Sequence, residues 1–271
     1  MTTQLSLELQ LKAIAEQLAL RAGTMILQAR RQGLVSADTK STSTDLVTEH
    51  DRASERLIVG ELTRLRPTDG IIGEEGSSIA GTSGVDWLID PIDGTTNYFY
   101  NLTGYAVSIA ASSADHTLAG AVYIPVTGEL FSAAKGHGAT LNGQSIGCSN
   151  TAQLDQTLMA TGFSYQAKKR VLHAKRLVHL IGEIRDIRRF GAAAPDLCYV
   201  AAGRVDAYFE EGLGPWDLAA GELIAREAGC ISGDLSGDSP RPEQVLVANP
   251  HLFEPLRLLI NRADAACVTA E

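Results

Sequence analysis

The sequence predicts a mixed fold in two parts, an N-terminal α+β half over residues 1–144 and a C-terminal α/β half over residues 145–271. Three observations predict it. Residues 5–32 carry apolar side chains at spacings of three and four, the mark of an amphipathic helix. Between 104 and 134, three short apolar runs follow one another with tight connections, which implies an antiparallel meander. Beyond about 145, strand-like and helix-like segments alternate. A chain of 271 residues is long enough for a large core.

In the first helix Leu7, Leu11, Ile14, Leu18, Ala22, Met25 and Ile26 line one face, to pack on the core or on a second copy. Residues 40–51 are polar and rich in β-branched side chains, a loop or hairpin that delivers Asp51 to a helix over 52–66. Taken alone, Asp51 reads as that helix's N-cap. Residues 70–76 form a short strand ending in Glu74 and Glu75, a pair that in isolation reads as a solvated loop. An apolar run from 85 reads as a buried strand. Pro91 stops it, because proline fixes its own φ and pushes Asp90 into an extended conformation. Strands follow at 105–112, 118–124 and 130–134, joined by turns at Ala114-Asp115-His116 and Pro125-Val126-Thr127-Gly128. Asn142-Gly143 continues the hairpin chemistry.

The second half opens with a strand at 157–161, a helix at 168–182 and a strand at 186–190. Gly191 begins another helix that ends near Gly203. Residues 206–210 are strand-like, and Pro215 starts a helix that Gly229 stops. A strand at 245–248 and a helix at 250–262 close the chain.

Composition narrows the function. Hydrophobic residues make up 45% and charged residues 20%, ordinary for a soluble enzyme. A net charge of −9 argues against a general nucleic-acid or anionic-membrane partner, since both need a basic face. It suits an acidic cleft that works through bound cations. No apolar run is long enough to span a membrane and the N-terminus lacks a basic-then-apolar signal, so a cytoplasmic location is expected. Cys148, Cys198, Cys230 and Cys267 lack metal-type spacing and are expected to be reduced. His50, His137, His173, His179 and His251 fall in polar segments and are expected at the surface.

The chemistry concentrates in Asp90-Pro91-Ile92-Asp93-Gly94-Thr95-Thr96-Asn97. Asp90 and Asp93 can point at one spot beyond the strand, and the Ile92 carbonyl can join them. Two carboxylates about 4 Å apart repel by roughly 4 kcal/mol at an effective dielectric of 20, so a cation must compensate. The motifs hold no Lys or Arg, and oxygen ligands suit a hard ion such as Mg²⁺. The N–H groups of Gly94, Thr95 and Thr96 can cradle a phosphate oxygen. The plainer reading is a capped turn after a strand. Asp217, two residues after Pro215, reads alone as an acid well placed at a positive helix end. Glu210 ends a strand seven residues before Asp217. It is either a solvated acid or part of the rim of the same cleft.

The motif resembles, without a mismatch, the central motif of the inositol monophosphatase family of Mg²⁺-dependent phosphomonoesterases. The resemblance runs from Lys40 to about Gly229, with the segments in the family's order, and 188–229 is especially similar to bacterial inositol-1-monophosphatases. It implies a layered αβαβα sugar-phosphatase sandwich with its site between the two halves. Gly73-Glu74-Glu75 matches the family's metal segment, which makes Glu74 a bridging metal ligand and Glu75 a supporting one. Lys40, followed by Asp45-Leu46-Val47-Thr48-Glu49-His50-Asp51, matches the family's Lys-(x)n-Asp-x-Val-Thr-x-x-Asp segment, whose last aspartate helps to orient the attacking water, a role shared with Thr95. Pro215-Trp216-Asp217 with Glu227-Ala228-Gly229 matches the second signature, whose Asp is a metal ligand.

The resemblance therefore implies metal ligands at Glu74, Asp90, Ile92, Asp93 and Asp217, holding two or three Mg²⁺ per subunit. It implies catalytic roles for Asp51, Glu74 and Thr95, and substrate contacts at Asp93, Gly94, Thr95, Ala193, Glu210 and Asp217. Where many relatives carry Ser or Thr, this chain has Ala192, so no hydroxyl contact is carried over there. The activity implied is hydrolysis of inositol 1-phosphate, in a homodimer sensitive to lithium. The alternatives are histidinol phosphate, a sugar bisphosphate or a nucleotide 3′-phosphate as substrate, or a regulatory binding protein that retains the fold.

Overall fold

The computed structural model describes residues 5–33, 35–42, 44–114 and 116–269. Asp115, in one of the expected turns, and Ser43 lie outside the described residues. Helix α1 (Leu7–Arg31) opens on Ser6, whose hydroxyl accepts the Leu9 N–H at 3.4 Å. It buries Leu11, Leu18, Ala22 and Ile26 along the expected stripe. Strands β1 (Ala37–Thr39) and β2 (Leu46–Thr48) form a small hairpin that leads into α2 (Glu49–Leu65).

That helix starts three residues earlier than expected, and its N-cap is Thr48, not Asp51. The Thr48 hydroxyl accepts from His50 and Asp51 N–H, while the Asp51 carboxylate takes the Thr48 N–H at 2.9 Å. This reciprocal capping box frees Asp51 Oδ1 to reach elsewhere.

Strands β3 (Gly70–Gly73), β4 (Ser78–Ile79), β5 (Asp86–Asp93), β6 (Ala106–Ser113), β7 (His116–Ile124), β8 (Glu129–Ala134), β9 (Ala139–Leu141) and β10 (Gln144–Ser145) build one sheet. Its order is β10-β9-β8-β7-β6-β5-β3-β4, antiparallel throughout except for the parallel pair β3 and β5. Asn142 and Gly143 sit at φ +49° and +77°, the left-handed pair of a two-residue hairpin turn.

One expectation at β5 is corrected. The strand does not stop at Asp90 but runs through Pro91 to Asp93. Asp90 pairs with Ser108 and Asp93 with Ala106, so three steps on β5 oppose two on β6. Pro91 has no N–H for the ladder and falls in the resulting bulge, where its loss is harmless.

Helix α3 (Thr95–Phe99) is a single short turn. The second sheet contains β11 (Leu158–Thr161), β12 (Asp186–Arg188), β13 (Ala207–Glu210), β14 (Ile231–Gly233) and β15 (Val245–Ala248), in the order β12-β11-β13-β15-β14. Helices α4 (Ala167–Leu180), α5 (Ala193–Ala201), α6 (Pro215–Glu227) and α7 (Phe253–Thr269) alternate with its strands along the chain. Strand β14 was not expected, being only three residues long. Helix α7 begins at Phe253 rather than 250 because the Asn249 side chain accepts the His251 and Leu252 N–H groups in a turn just before it.

The layers follow from which faces are apolar. Helices α1 and α2 cover one face of the large sheet, α5 and α6 fill the space between the sheets, and α4 and α7 cover the outer face of the small one. This is the expected αβαβα sandwich. The central core joins Val122 and Phe131 of the large sheet to Leu197 and Leu223 of the middle helices and to Tyr208 and Val247 of the small sheet. Helices buried on both sides must be apolar nearly all round, and α6 buries eight consecutive residues, Leu218 to Ala225. The four cysteines are free. His137, His179 and His251 are exposed, but His173 is buried with its Nε2 3.2 Å from Glu211, and His50 is half-buried against the Tyr98 hydroxyl at 2.7 Å. Each had a polar partner that local sequence does not reveal. No described helix is long and apolar enough to cross a membrane.

Candidate active site

The parallel register of β3 and β5 sets the first side chains. Gly73 pairs with Ile89, and the Glu74 N–H donates to the Ile89 carbonyl at 3.1 Å, so Glu74 leaves β3 beside Asp90. The buried Glu55 fixes the next turn by accepting the Glu75 N–H at 2.8 Å and the Ser77 N–H at 3.0 Å. Past the bulge, the Ile92 N–H donates to Asp90 Oδ1 at 3.0 Å. Asp93 then reaches across to the middle layer. Its carboxylate accepts the Ala193 N–H at 3.3 Å and the Ala194 N–H at 2.6 Å, capping the start of α5 from another sheet.

Gly94 is needed between these two tasks. It adopts φ +87°, and a Cβ there would lie 2.8 Å from the Gly104 carbonyl. Thr95 follows, donating its hydroxyl to Asp51 Oδ1 at 2.9 Å and to the Ile92 carbonyl at 3.0 Å. Asn97, the last residue of the motif, donates to the Phe190 carbonyl at 2.8 Å and so ties the motif to the segment entering α5.

From the other half, Asp217 sits in the first turn of α6 and accepts the Gly214 N–H at 2.7 Å. It lines the same cavity as Asp90, and the two acids act on one another there. Glu210 ends β13, takes the Tyr208 hydroxyl at 2.6 Å, and rests against Gly162, where a Cβ would come within 2.0 Å of its carboxylate. Glu74, Asp90, Ile92, Asp93, Gly94, Thr95, Ala193, Glu210 and Asp217 all line one cavity of about 310 Å³. Asp51 stands behind Thr95.

Electrostatics set this cavity apart. Burial, reinforced by the neighbouring acids, pushes Asp90 and Asp93 well above the usual carboxylate range, and burial alone raises Asp217. Burial likewise lifts Glu74 and Glu210 to about 7, and raises Asp51 against the pull of its bonds from Thr48 and Thr95. Cations answer them, Arg189 in the cavity wall near Glu210 and Lys40 at Glu74. Lys40 Nζ bonds Glu74 at 2.8 Å and also bonds Glu75; burial works against its charge, but the two carboxylates raise its pKa. The motifs hold no Lys or Arg, yet a lysine thirty-four residues upstream of Glu74 supplies one.

Among the described residues, no group of three His, Cys, Asp or Glu side chains is already arranged around a point to hold a metal ion. The chemistry of the donor set nevertheless fits one. Two buried aspartates, Asp90 and Asp93, with the part-buried Asp217 and Glu74 and a carbonyl, offer only hard oxygens, and a divalent cation would neutralise them. Lys40, Glu55 and Asn97 are supporting residues to which sequence reasoning gave no role, although Lys40 and Asn97 stood in the segments that carry the family resemblance.

Comparison with known proteins agrees with this architecture. A profile of the inositol monophosphatase family matches residues 8–264. The chain is 44% identical to "Nus factor SuhB" of Salmonella typhimurium over 258 residues, covering 93% of this chain and 95% of that one. It is 42% identical to "Inositol-1-monophosphatase" of Mycobacterium bovis over 240 residues, 81% of this chain and 82% of the relative. The structure of extragenic suppressor protein suhB from Bartonella henselae superposes with a TM-score of 0.87 at 35% identity, covering 92% of this chain and 97% of that chain.

Proposed function

The chain belongs to the inositol monophosphatase family, and from that premise we propose that it hydrolyses inositol 1-phosphate to inositol and phosphate with Mg²⁺ as cofactor. The observation that carries the reading is a juxtaposition. Asp90 and Asp93 of β5 and Asp217 of α6 line one cavity, beside a threonine hydroxyl bonded to a buried aspartate.

Glu74, Asp90, Asp93, Asp217 and the Ile92 carbonyl would hold the metal. When bound, Mg²⁺ supplies positive charge against the phosphate and lowers the pKa of water. The remaining work belongs to the chain. Thr95 already donates its proton to Asp51, so its oxygen is free to accept one from a water poised for attack. Burial raises the pKa of Asp51, which makes it a better terminal acceptor for that proton than a solvated carboxylate. The Gly94 and Thr95 N–H groups bind phosphate oxygens where charge develops. On the alcohol side, the Ala193 backbone and the carboxylates of Asp93, Glu210 and Asp217 meet the ring hydroxyls. Phosphate release from inositol 1-phosphate, histidinol phosphate, glycerol 2-phosphate and a nucleotide 3′-phosphate, with and without Mg²⁺, tests the assignment. The reading holds if inositol 1-phosphate leads and the activity needs the metal.

Relatives at 44% identity bear the name Nus factor, which favours a second reading. In it the chain acts as a binding or regulatory protein that keeps the fold. Absence of metal-dependent phosphate release from every ester in the panel would favour that reading.

A further inference from the structure

Among the described residues, Asp196 Oδ1 is the one buried side-chain oxygen or nitrogen without a hydrogen-bond partner. An orphan of this kind is rare, because leaving a buried polar group unpaired is costly. Asp196 is 1% exposed, yet it lines the same cavity as Asp93 and Glu210. The placement follows from helix geometry. Ala193 opens α5 and gives its N–H to Asp93; Asp196 lies three residues on, above it on the same helix face. Asp196 thus belongs to the cavity wall, where Glu210 and Asp93 both act on its carboxyl. Arg189 lies close enough to act on both Asp196 and Glu210, so the wall is not bare negative charge.

We propose that Asp196 is a further specificity-determining residue, one that hydrogen-bonds a hydroxyl of the alcohol part of the substrate beside the hydroxyl met by Glu210. The class of ligand is a phosphate ester of a neutral polyol with at least two hydroxyls away from the phosphate. A hydroxyl both donates and accepts, which suits an unpaired carboxyl group beside a guanidinium better than a second cation would. Burial favours the protonated acid here, which also donates and accepts. The inference rests on the phosphatase reading for its kinetics, but not for its stability and binding signatures.

The test compares the wild type with Asp196→Ala and the isosteric Asp196→Asn. The ratio of kcat/KM for inositol 1-phosphate over glycerol 2-phosphate falls about tenfold in Asp196→Ala, the scale of one lost hydrogen bond. The same variant melts at least about 2 °C higher without ligand, because it loses an unpaired buried group and gains helix propensity. Asp196→Ala also weakens calorimetric binding of myo-inositol in the presence of Mg²⁺ and phosphate, and Asp196→Asn, which keeps the shape with a donor and an acceptor, restores most of it. An unchanged ratio, or a lower melting temperature with equal losses on both esters, overturns the proposal and makes Asp196 a structural residue. A larger loss on histidinol phosphate than on inositol 1-phosphate also overturns it, in favour of an ammonium site. If the wild type hydrolyses no ester, the phosphatase reading fails, and the inositol titrations and melting curves still decide the role of Asp196.

Discussion

Thr95 Oγ1 lies 2.9 Å from Asp51 Oδ1 and 3.0 Å from the Ile92 carbonyl, so one hydroxyl proton faces two acceptors. The other Asp51 oxygen is taken by the Thr48 N–H and hydroxyl. A motif residue and a helix-capping residue forty-four positions apart thus form one unit. This unit is where the account places water orientation.

Thr95→Ala should lower kcat by roughly 10²–10⁴, the range for a positioned proton-transfer group, while Mg²⁺ affinity and KM change little. Thr95→Ser should retain most of the activity. Steady-state kinetics with a parallel melting curve separates the roles. A fall in melting temperature without a fall in kcat would make the pair ordinary capping.

How far the sequence foretold this site depends on the range of each contact. The amphipathic stripe of α1 and the meander β6 to β8 were legible because their periodicity is local. Asp90, Asp93 and Asp217 could be singled out because each sits at a strand or helix end marked by Pro91, Gly94 or Pro215. The bulge at Pro91 was not legible, since it depends on the pairing of β5 with β6. Thr48 rather than Asp51 caps α2 for a reason visible only when both side chains are placed. The bond of Lys40 to Glu74 and the place of Asp196 in the cavity wall were not legible for the same cause, since each depends on residues far away in the chain.

Lys40 already neutralises Glu74, a carboxylate that a metal would need. Lys40→Gln should therefore bind Mg²⁺ more tightly at pH 8.5, by about tenfold. A unit charge ~4 Å away is worth about 1 kcal/mol in water and more in a part-buried site. Calorimetric titration of the ester-free protein reads this directly. Weaker binding in the variant would mean that Lys40 orients Glu74 for the ion instead of competing with it.

The raised acids give the metal-free protein an unusual pH profile. Glu74 and Glu210 move from 4.5 in the unfolded chain to about 7 in the fold. Each favours the protonated native state, so its stabilisation is complete below pH 4.5 and is lost as pH rises to 7. Glu211, held near 2 by His173 and Arg176 against its burial, contributes steadily throughout that window. Without metal the melting temperature should fall between pH 4.5 and 7, and added Mg²⁺ should restore it most at the upper end. A flat profile in EDTA would show that the acids are not buried as described.

Glu210 should matter to the alcohol more than to the phosphate. Glu210→Gln keeps an acceptor for Tyr208 but weakens a charge-assisted bond to a ring hydroxyl. The expected cost is about 1–3 kcal/mol in kcat/KM for inositol 1-phosphate, with a smaller loss for glycerol 2-phosphate. Equal losses on both would place Glu210 in support of the metal site.

The central claim is that the buried acids at the end of β5 serve a divalent ion in phosphate-ester hydrolysis. Phosphate release from inositol 1-phosphate, measured on the wild type and on Asp93→Asn in saturating Mg²⁺ and in EDTA, tests it most directly. The account predicts rapid release only for the wild type with Mg²⁺, none in EDTA, and a sharply lower kcat with a higher Mg²⁺ requirement for Asp93→Asn. Undiminished release in EDTA, or an Asp93→Asn variant as active as the wild type, would contradict it.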